Sequence, residues 1–224
     1  MVLYDSGDPT PEEQLVLEYV NRARADPVAE GTRLGIDIHE GLPSDLVGFV
    51  GPRPPLAMNK LLLSIARGHS EDMYNGNYFS HDDPNGTTPF DRMLHAGYNF
   101  WIAGENIATG GGSDSSVYAA QALQDDLMVD AGISGRPHRV ILLDIENSNC
   151  GNPPCIYYEV GVGYYSSSNQ NPSGLNSFLT QDFGALPNTG PFLLGVVYND
   201  KNGNGFYDIG EGISGVTITP STGS

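Results

Sequence analysis

The order of the secondary-structure signals constrains the fold of this chain more than any other feature. Within residues 10–184, the capped helices come first and the two clearest strands come last. The first helix begins at Thr10, which forms a capping box with Glu13. The strands are predicted at 158–165 and 178–183, joined by a polar hairpin connection. Helices followed by strands predict an α+β domain in which the helices pack on an antiparallel sheet.

A second helix is predicted to start at Asn59, and one of its apolar positions is a histidine. One face of this helix carries Leu62, Ile65, His69 and Met73, at steps of three, four and four residues. Such a histidine is either a hydrogen-bonded core residue or a ligand, and spacing alone does not separate the two. The chain has five histidines and lacks an HExxH motif, so a zinc site would have to be assembled from distant segments.

The charge balance restricts the partners of the chain. Acidic residues outnumber basic ones by 27 to 10, and the formal net charge is −17. Such a surface repels phosphate backbones and anionic lipid, so we expect no nucleic-acid binding. It favours cations, or it serves only to keep the protein in solution. No apolar run is long enough to cross a bilayer, and no membrane span is predicted.

Cysteine usage predicts the compartment. Cys150 and Cys155 bracket Gly-Asn-Pro-Pro, a spacing wider than a CxxC redox motif, and no second pair exists to complete a zinc site. We expect a local disulfide that stabilises its loop by about 2 kcal/mol and forms in an oxidising compartment. No signal peptide precedes the first helix. An extracellular or cell-surface location, with the leader removed, is therefore expected.

The C-terminal region contains a calcium-type loop. Its residues follow the pattern D-x-[DN]-x-[DN]-G-x5-E, in which Gly205 permits the sharp turn and alternate oxygens converge on one hard cation. The candidate calcium ligands are Asp200, Asn202, Asn204, the carbonyl of Phe206, Asp208 and Glu211. The alternative interpretation is an ordinary polar hairpin loop. Strands rather than helices are predicted on either side, at 193–198 and 216–219.

The string GVVYNDKNGNGFYDIGEGISGVTI resembles the opening of B-type repeats of bacterial serine-aspartate adhesins, in which calcium rigidifies a β-sandwich. The resemblance covers about the last 30 residues. It implies that 192–224 is a truncated β-sandwich segment of this type, reached through a linker at 185–191. It also implies further β-sandwich domains downstream in the native chain.

The rest of the chain resembles the CAP superfamily (cysteine-rich secretory, antigen 5 and pathogenesis-related proteins, also called SCP-like) in its bacterial form. The strings that carry this resemblance occur in family order and are VNRARADP, LLLSIARGHSEDM, YFSHDDPNGTTPFDRMLHAGY, GENIA, GRPHRVILLD, EVGVGYY and FLTQDFG. The resemblance implies a CAP domain at 10–184. It also implies a three-layer α-β-α sandwich with a cleft.

In this family the cleft holds two histidines and two acidic residues. The resemblance assigns the histidines to His69 and His138, as ligands of a divalent cation such as zinc, and the first acid to Glu105. His138 is expected just before a strand of the third layer. The family's second acid is a glutamate that this chain lacks, so Asp130 takes that role, or alternatively Asp126.

His81, in the FSH string, is expected to line the same cleft. Three functions follow from the resemblance. The first is an extracellular binding module for a small lipid or a cell-surface ligand. The second is a metal-dependent, peptidase-like hydrolase with Glu105 as the base, assisted by Asp130, and metal on His69 and His138. The third is a purely structural surface module.

Overall fold

The structure, a computed structural model, describes residues 4–111, 116–146, 155–187, 189–190 and 192–218. In this part of the chain a four-stranded sheet carries helices on both faces. The helices are α1 (Pro11–Ala25), α2 (Pro27–Leu34), α3 (Lys60–Gly76), α4 (Pro89–His95), α5 (Ser116–Val129) and α6 (Pro137–Leu142), with a 3-10 turn at Val47–Phe49. The strands are β1 (Ala57–Met58), β2 (Ile102–Gly110), β3 (Glu159–Ser166) and β4 (Ser177–Ala185).

The sheet has the strand order β1-β3-β4-β2, which leaves β2 at one edge. Strand β4 pairs antiparallel with both β3 and β2, while β1 pairs parallel with β3. The sheet is therefore mixed, and the expected purely antiparallel sheet is wrong at this one pair. The predicted α+β class and the three-layer α-β-α arrangement are confirmed.

Helix α3 lies directly on one face of the sheet because two glycines of β3 leave room for it. A Cβ on Gly161 would overlap the backbone of Leu62, and a Cβ on Gly163 would overlap that of Ala66. Ser70, one turn further along α3, hydrogen-bonds the hydroxyl of Thr180 on β4 at 2.8 Å. The glycine pair therefore sets the depth at which α3 holds its buried side chains.

The opposite face of the sheet packs against α1 and α5 in the largest apolar cluster of the described residues. Arg139 of α6 is completely buried beside this cluster. It donates to the carbonyl oxygens of Ile38, Glu40, Met128 and Val129. Because this guanidinium binds both the 38–40 segment and the end of α5, it fixes the start of α6 against both.

Several elements were not predicted from the sequence. The region 28–55, expected to be a surface excursion, begins with α2, where Asp26 caps Ala29 and Gly35 ends the helix in the left-handed region. Strands β1 and β2 and helix α6 were also missed. The nine residues of β2, IAGENIATG, have little intrinsic strand propensity, and their pairing with β4 overrides it.

The described part of the C-terminal segment, 192–218, is not a pair of strands. The expected strand at 193–198 is present only as an isolated bridge between Tyr198 and Gly212, and 216–218 has no regular structure. The remainder of the expected 216–219 strand, Thr219, lies outside the described residues. The assignment of 192–224 to a truncated β-sandwich stays a prediction.

This C-terminal segment packs on the outer face of α1. Leu15, Tyr19 and Tyr207 form its buried cluster, with Phe206 packed at the margin. The guanidinium carbon of Arg22 lies 4.5 Å from the ring centroids of both Tyr19 and Phe206. The loop that carries the calcium-type motif is therefore attached to the helical layer by stacked aromatic side chains.

No described helix combines the length and the apolar character needed to cross a bilayer. Cys150 lies outside the described residues, so its predicted disulfide with Cys155 stays a prediction. Cys155 itself lines a cavity of about 420 Å³ beside Trp101 and Leu186.

Candidate functional site

His69 lies on the buried side of α3, as its helical spacing predicts. Its Nε2 is 3.0 Å from the carbonyl oxygen of Ser80. Because a carbonyl oxygen only accepts hydrogen bonds, Nε2 must carry the ring proton. Burial lowers the pKa of His69, although the charge of Glu105 opposes this effect. The ring is therefore held neutral in a fixed tautomer.

Glu105 lies on β2, facing the α3 layer, and is buried. One carboxylate oxygen accepts from Arg92 of α4 at 2.5 Å, and the other is 2.8 Å from Nδ1 of His81. Arg92 also donates to the carbonyl oxygens of His81 and Thr87, so it fixes the loop before α4 as well as the carboxylate. His81, expected to line a cleft, is thus the exposed partner of Glu105.

Asp182 of β4 belongs to the same group, although the sequence reasoning missed it. It pairs directly with Glu105 in the β2–β4 register, so the two side chains share one face of the sheet. Asp182 is completely buried, and neither carboxyl oxygen has a hydrogen-bond partner among the described residues. Burial, followed by the charge of Glu105, raises the pKa of Asp182 well above its ordinary value. An acidic residue inside the predicted strand 178–183 was the available signal.

His138 is the second residue of α6, rather than a residue just before a strand as expected. Asp130 follows α5 and has a φ of 52°. Its two carboxylate oxygens bind two different atoms of His138. One carboxylate oxygen of Asp130 accepts from the backbone N–H of His138 at 2.9 Å, and the other is 2.8 Å from Nδ1. With Nδ1 donating to a carboxylate, the neutral ring has Nε2 as its acceptor.

A cavity of about 290 Å³ opens beside His138, at the edge of the sheet formed by β2. Its wall is lined by Phe79, Ile107, Ala108, Thr109, Asp126, Leu127, Val129, Asp130, Ala131, Ile133 and His138. Phe79 and Ile107 come from the α3 side of the sheet, and the residues from 126 onward come from the other side. The cavity therefore wraps around the edge strand.

The two histidines predicted as metal ligands lie near different side chains of β2. Glu105, near His69, faces the α3 layer, while the side chain of Asn106 points the opposite way and donates to the carbonyl of His138 at 3.1 Å. In the described residues, no group of three or more His, Cys, Asp or Glu side chains is arranged to hold a metal ion.

The hydrogen bonds show which atoms of these side chains remain available to a metal ion. Nε2 of His69 carries a proton and donates to Ser80, which leaves the lone pair of Nδ1 as the possible ligand of this ring. Both oxygens of Glu105 are engaged by Arg92 and His81. The zinc ion in the cleft, with the catalytic roles expected of Glu105 and Asp130, stays a prediction.

In the calcium-type loop, the candidate ligands bind one another and the loop backbone. Asp200 accepts from the backbone N–H groups of residues 203, 204 and 205. Asp208 accepts from the side-chain amides of Asn202 and Asn204, and Glu211 accepts from the backbone of Lys201 and Asp208. The oxygens of the motif thus accept hydrogen bonds from the loop itself, and calcium binding by them stays a prediction.

No protein-family model matches the chain. Among curated proteins, it is similar to the protein YkwD of Bacillus subtilis (strain 168), with 34% identity over 113 residues. This match covers 50% of the chain and 36% of YkwD, so the chain spans about a third of the length of that relative.

Two solved structures are also similar. An extracellular protein containing an SCP domain, from Bacillus anthracis str. Ames, has 26% identity and a TM-score of 0.44, over 80% of this chain and 44% of that protein. An outer surface protein of Borrelia burgdorferi has 12% identity and a TM-score of 0.47, over 79% of this chain and 94% of that protein. The chain is therefore similar to bacterial proteins, one of which contains an SCP domain.

Proposed function

We propose that the chain is a CAP domain that acts outside the cell, or on its surface, as a binding module. Its ligand site is the cavity beside His138. The motif strings from VNRARADP to FLTQDFG support the family assignment. The location is supported by two similar proteins, of which one is described as extracellular and the other as an outer surface protein.

The observation that carries the proposal is the composition of the cavity wall. Phe79, Ile107 and Ile133 supply apolar surface, and His138 supplies a hydrogen-bonding nitrogen whose orientation Asp130 fixes. Ligand sites typically combine a mostly apolar wall with a few fixed polar groups. A volume of about 290 Å³ holds roughly ten heavy atoms at about 30 Å³ each. A small amphiphile, or one end of a longer lipid, matches this wall.

The hydrolase alternative has less support from the same side chains. Glu105 would have to act as a base, yet Arg92 and His81 engage its carboxylate on both oxygens. A carboxylate oxygen that already accepts a hydrogen bond is less available to accept a proton from a substrate or a water molecule. The arrangement is more consistent with a fixed charge network than with a group free to accept a proton.

Displacement of a fluorescent ten-carbon amphiphile tests the binding function. Phe79→Ser removes apolar wall from the cavity, and Phe90→Ser is the matched control because Phe90 lies on α4, outside the lining. The two phenylalanines are 44% and 45% exposed, so both substitutions should be tolerated alike. We expect Phe79→Ser to weaken binding about tenfold, which corresponds to roughly 50 Å² of apolar contact. His138→Ala should weaken it further, and Phe90→Ser should not.

Equal affinities for Phe79→Ser and Phe90→Ser would show that the amphiphile does not occupy this cavity. A parallel panel of peptide and ester substrates tests the alternative. Turnover that Glu105→Gln abolishes, without loss of folding, would support the hydrolase instead.

A further inference from the structure

The polar side chains that line the cavity beside His138 are arranged as acceptors. Asp126 lies at its exposed rim, and Asp130 is the buried carboxylate behind His138. Because Nδ1 of His138 donates to Asp130, the neutral ring offers the lone pair of Nε2. The hydroxyl of Thr109 donates to the carbonyl oxygen of Ser177, so its proton is already engaged.

The arginines near this cavity bind carboxylate or carbonyl oxygens outside it. Arg136 donates to both carboxylate oxygens of Glu40, at 2.7 and 2.8 Å. Arg139 is completely buried and donates to backbone carbonyl oxygens. Arg33, on α2, pairs with Asp125. Neither lysine nor arginine is present among the described residues that line the cavity.

The electrostatic field at the rim is consequently negative. Asp125 and Asp126 are adjacent, and burial, followed by the charge of Asp125, raises the pKa of Asp126. The formal charge of the whole chain, −17, adds to this field at long range. An anionic head group placed at the rim would meet repulsion and would find acceptors only. A cationic head that donates hydrogen bonds would meet attraction and partners.

We infer that this cavity selects amphiphiles with a cationic, hydrogen-bond-donating head, such as an alkylammonium, over amphiphiles with a carboxylate head. The inference rests on the proposed binding function. The apolar chain lies against Phe79 and Ile107, and the ammonium group lies between the carboxylate of Asp126 and Nε2 of His138.

Three ligands of equal chain length test this preference, because their apolar contribution is the same. Decylammonium, decanol and decanoate are titrated into the protein at pH 8, below their aggregation concentrations, by displacement of the same fluorescent probe. We expect decylammonium to bind about tenfold more tightly than decanol, and decanoate to bind more weakly than decanol.

Asp126→Asn should reduce the preference for decylammonium over decanol several-fold. Asp45→Asn is the matched control, because it removes the same charge from an exposed residue that does not line the cavity. It should leave the ratio of the two affinities nearly unchanged. Phe79→Ser should weaken all three ligands alike, since each has the same chain.

The outcomes separate the inference from the proposed function. If none of the three ligands binds, the binding function fails and the inference fails with it. If decanoate binds as tightly as decylammonium, with Phe79→Ser still weakening both, the cavity binds amphiphiles and the charge preference is wrong. If Asp45→Asn lowers the ratio as much as Asp126→Asn does, the preference comes from overall charge and the assigned rim carboxylate is overturned.

Discussion

Asp182 lies directly opposite Glu105 in the β2–β4 register, and both carboxyl groups are buried on the α3 face of the sheet. Two ionised carboxylates that face each other in a low-dielectric site repel each other strongly, so ionisation of one disfavours ionisation of the other. Arg92 forms an ion pair with Glu105, whereas neither oxygen of Asp182 has a hydrogen-bond partner among the described residues. Burial, followed by the charge of Glu105, raises the pKa of Asp182 and so favours its neutral form.

The first prediction concerns the pH dependence of stability. The folded-state pKa of Asp182 is raised above its unfolded value, so its neutral form stabilises the fold at low pH. That stability is lost as the pH rises from the unfolded pKa, near 4, towards the folded pKa. In Asp182→Asn the carboxyl is replaced by an amide that does not ionise, so the variant does not lose this stability as the pH rises. The free energy of unfolding of the variant, relative to the parent, should therefore increase between pH 4 and pH 8, by up to about 1.4 kcal/mol per pH unit.

Urea unfolding at the two pH values measures this difference. Asp45→Asn is the control, because Asp45 is exposed and its loss should leave the pH profile unchanged. A constant difference between the Asp182→Asn variant and the parent across this range would mean that Asp182 titrates normally.

The second prediction concerns Arg92. Arg92→Gln leaves the buried Glu105 without its cation and also removes hydrogen bonds to the loop before α4. Breaking a mostly buried ion pair of this kind typically costs about 3 kcal/mol. Lys60→Gln is the comparison, because the Lys60–Asp5 pair is more than half exposed and solvent screening should leave it with little effect on stability. Chemical unfolding should rank the losses in that order, and the reverse order would contradict the role of Arg92.

The third prediction concerns the contact between α3 and β3. Gly161→Ala and Gly163→Ala place a methyl group into the backbone of α3, so each should lower the free energy of unfolding by about 2 kcal/mol or more. Gly68→Ala is the control within α3, where the added methyl group meets nothing within 4 Å. It should be neutral or stabilise the helix by about 0.5–1 kcal/mol. Thermal melts of the three variants measure the contrast, and equal melting temperatures would disprove the close approach.

The fourth prediction concerns calcium in the C-terminal loop. Phe206 and Tyr207 of the loop pack on α1, so calcium bound to the loop should raise the free energy of unfolding of the whole domain. Calcium at about 100 times its dissociation constant should add about 2.7 kcal/mol to the free energy of unfolding. Asp200→Ala should abolish this gain, while Asp45→Ala should retain it. A melting temperature that calcium and a chelator leave equal would show that the loop is an ordinary polar turn.

Local signals predicted the elements that carry their own caps. The capping box of Thr10 and Glu13 fixes the start of α1, and Asn59 caps α3, which brings His69 to the buried side. These elements depend on residues three or four apart, so their pattern is visible in a short stretch of sequence. The two late strands, β3 and β4, were predicted within two residues of their ends, because the alternation of side chains and the turn residues are also local signals.

The parts that were missed depend on residues far apart in the chain. Strand β2 exists because it pairs with β4, whose residues lie 67 to 83 positions later in the chain, and Asp182 becomes a site residue only through that register. The pairing of His81 with Glu105 is likewise set by the position of α4 and its Arg92. A single sequence does not reveal such contacts, because no local periodicity encodes them.

The stacking of Tyr19 on Phe206, with Arg22 beside both rings, limits where the chain can be truncated. A fragment that stops at residue 184, the boundary that the motifs suggest, would expose Leu15 and Tyr19 to water. Such a fragment would have an exposed apolar surface on α1 and would tend to self-associate. Expression trials should therefore retain residues through at least 213, and ligand assays on shorter fragments would report on an artificial surface.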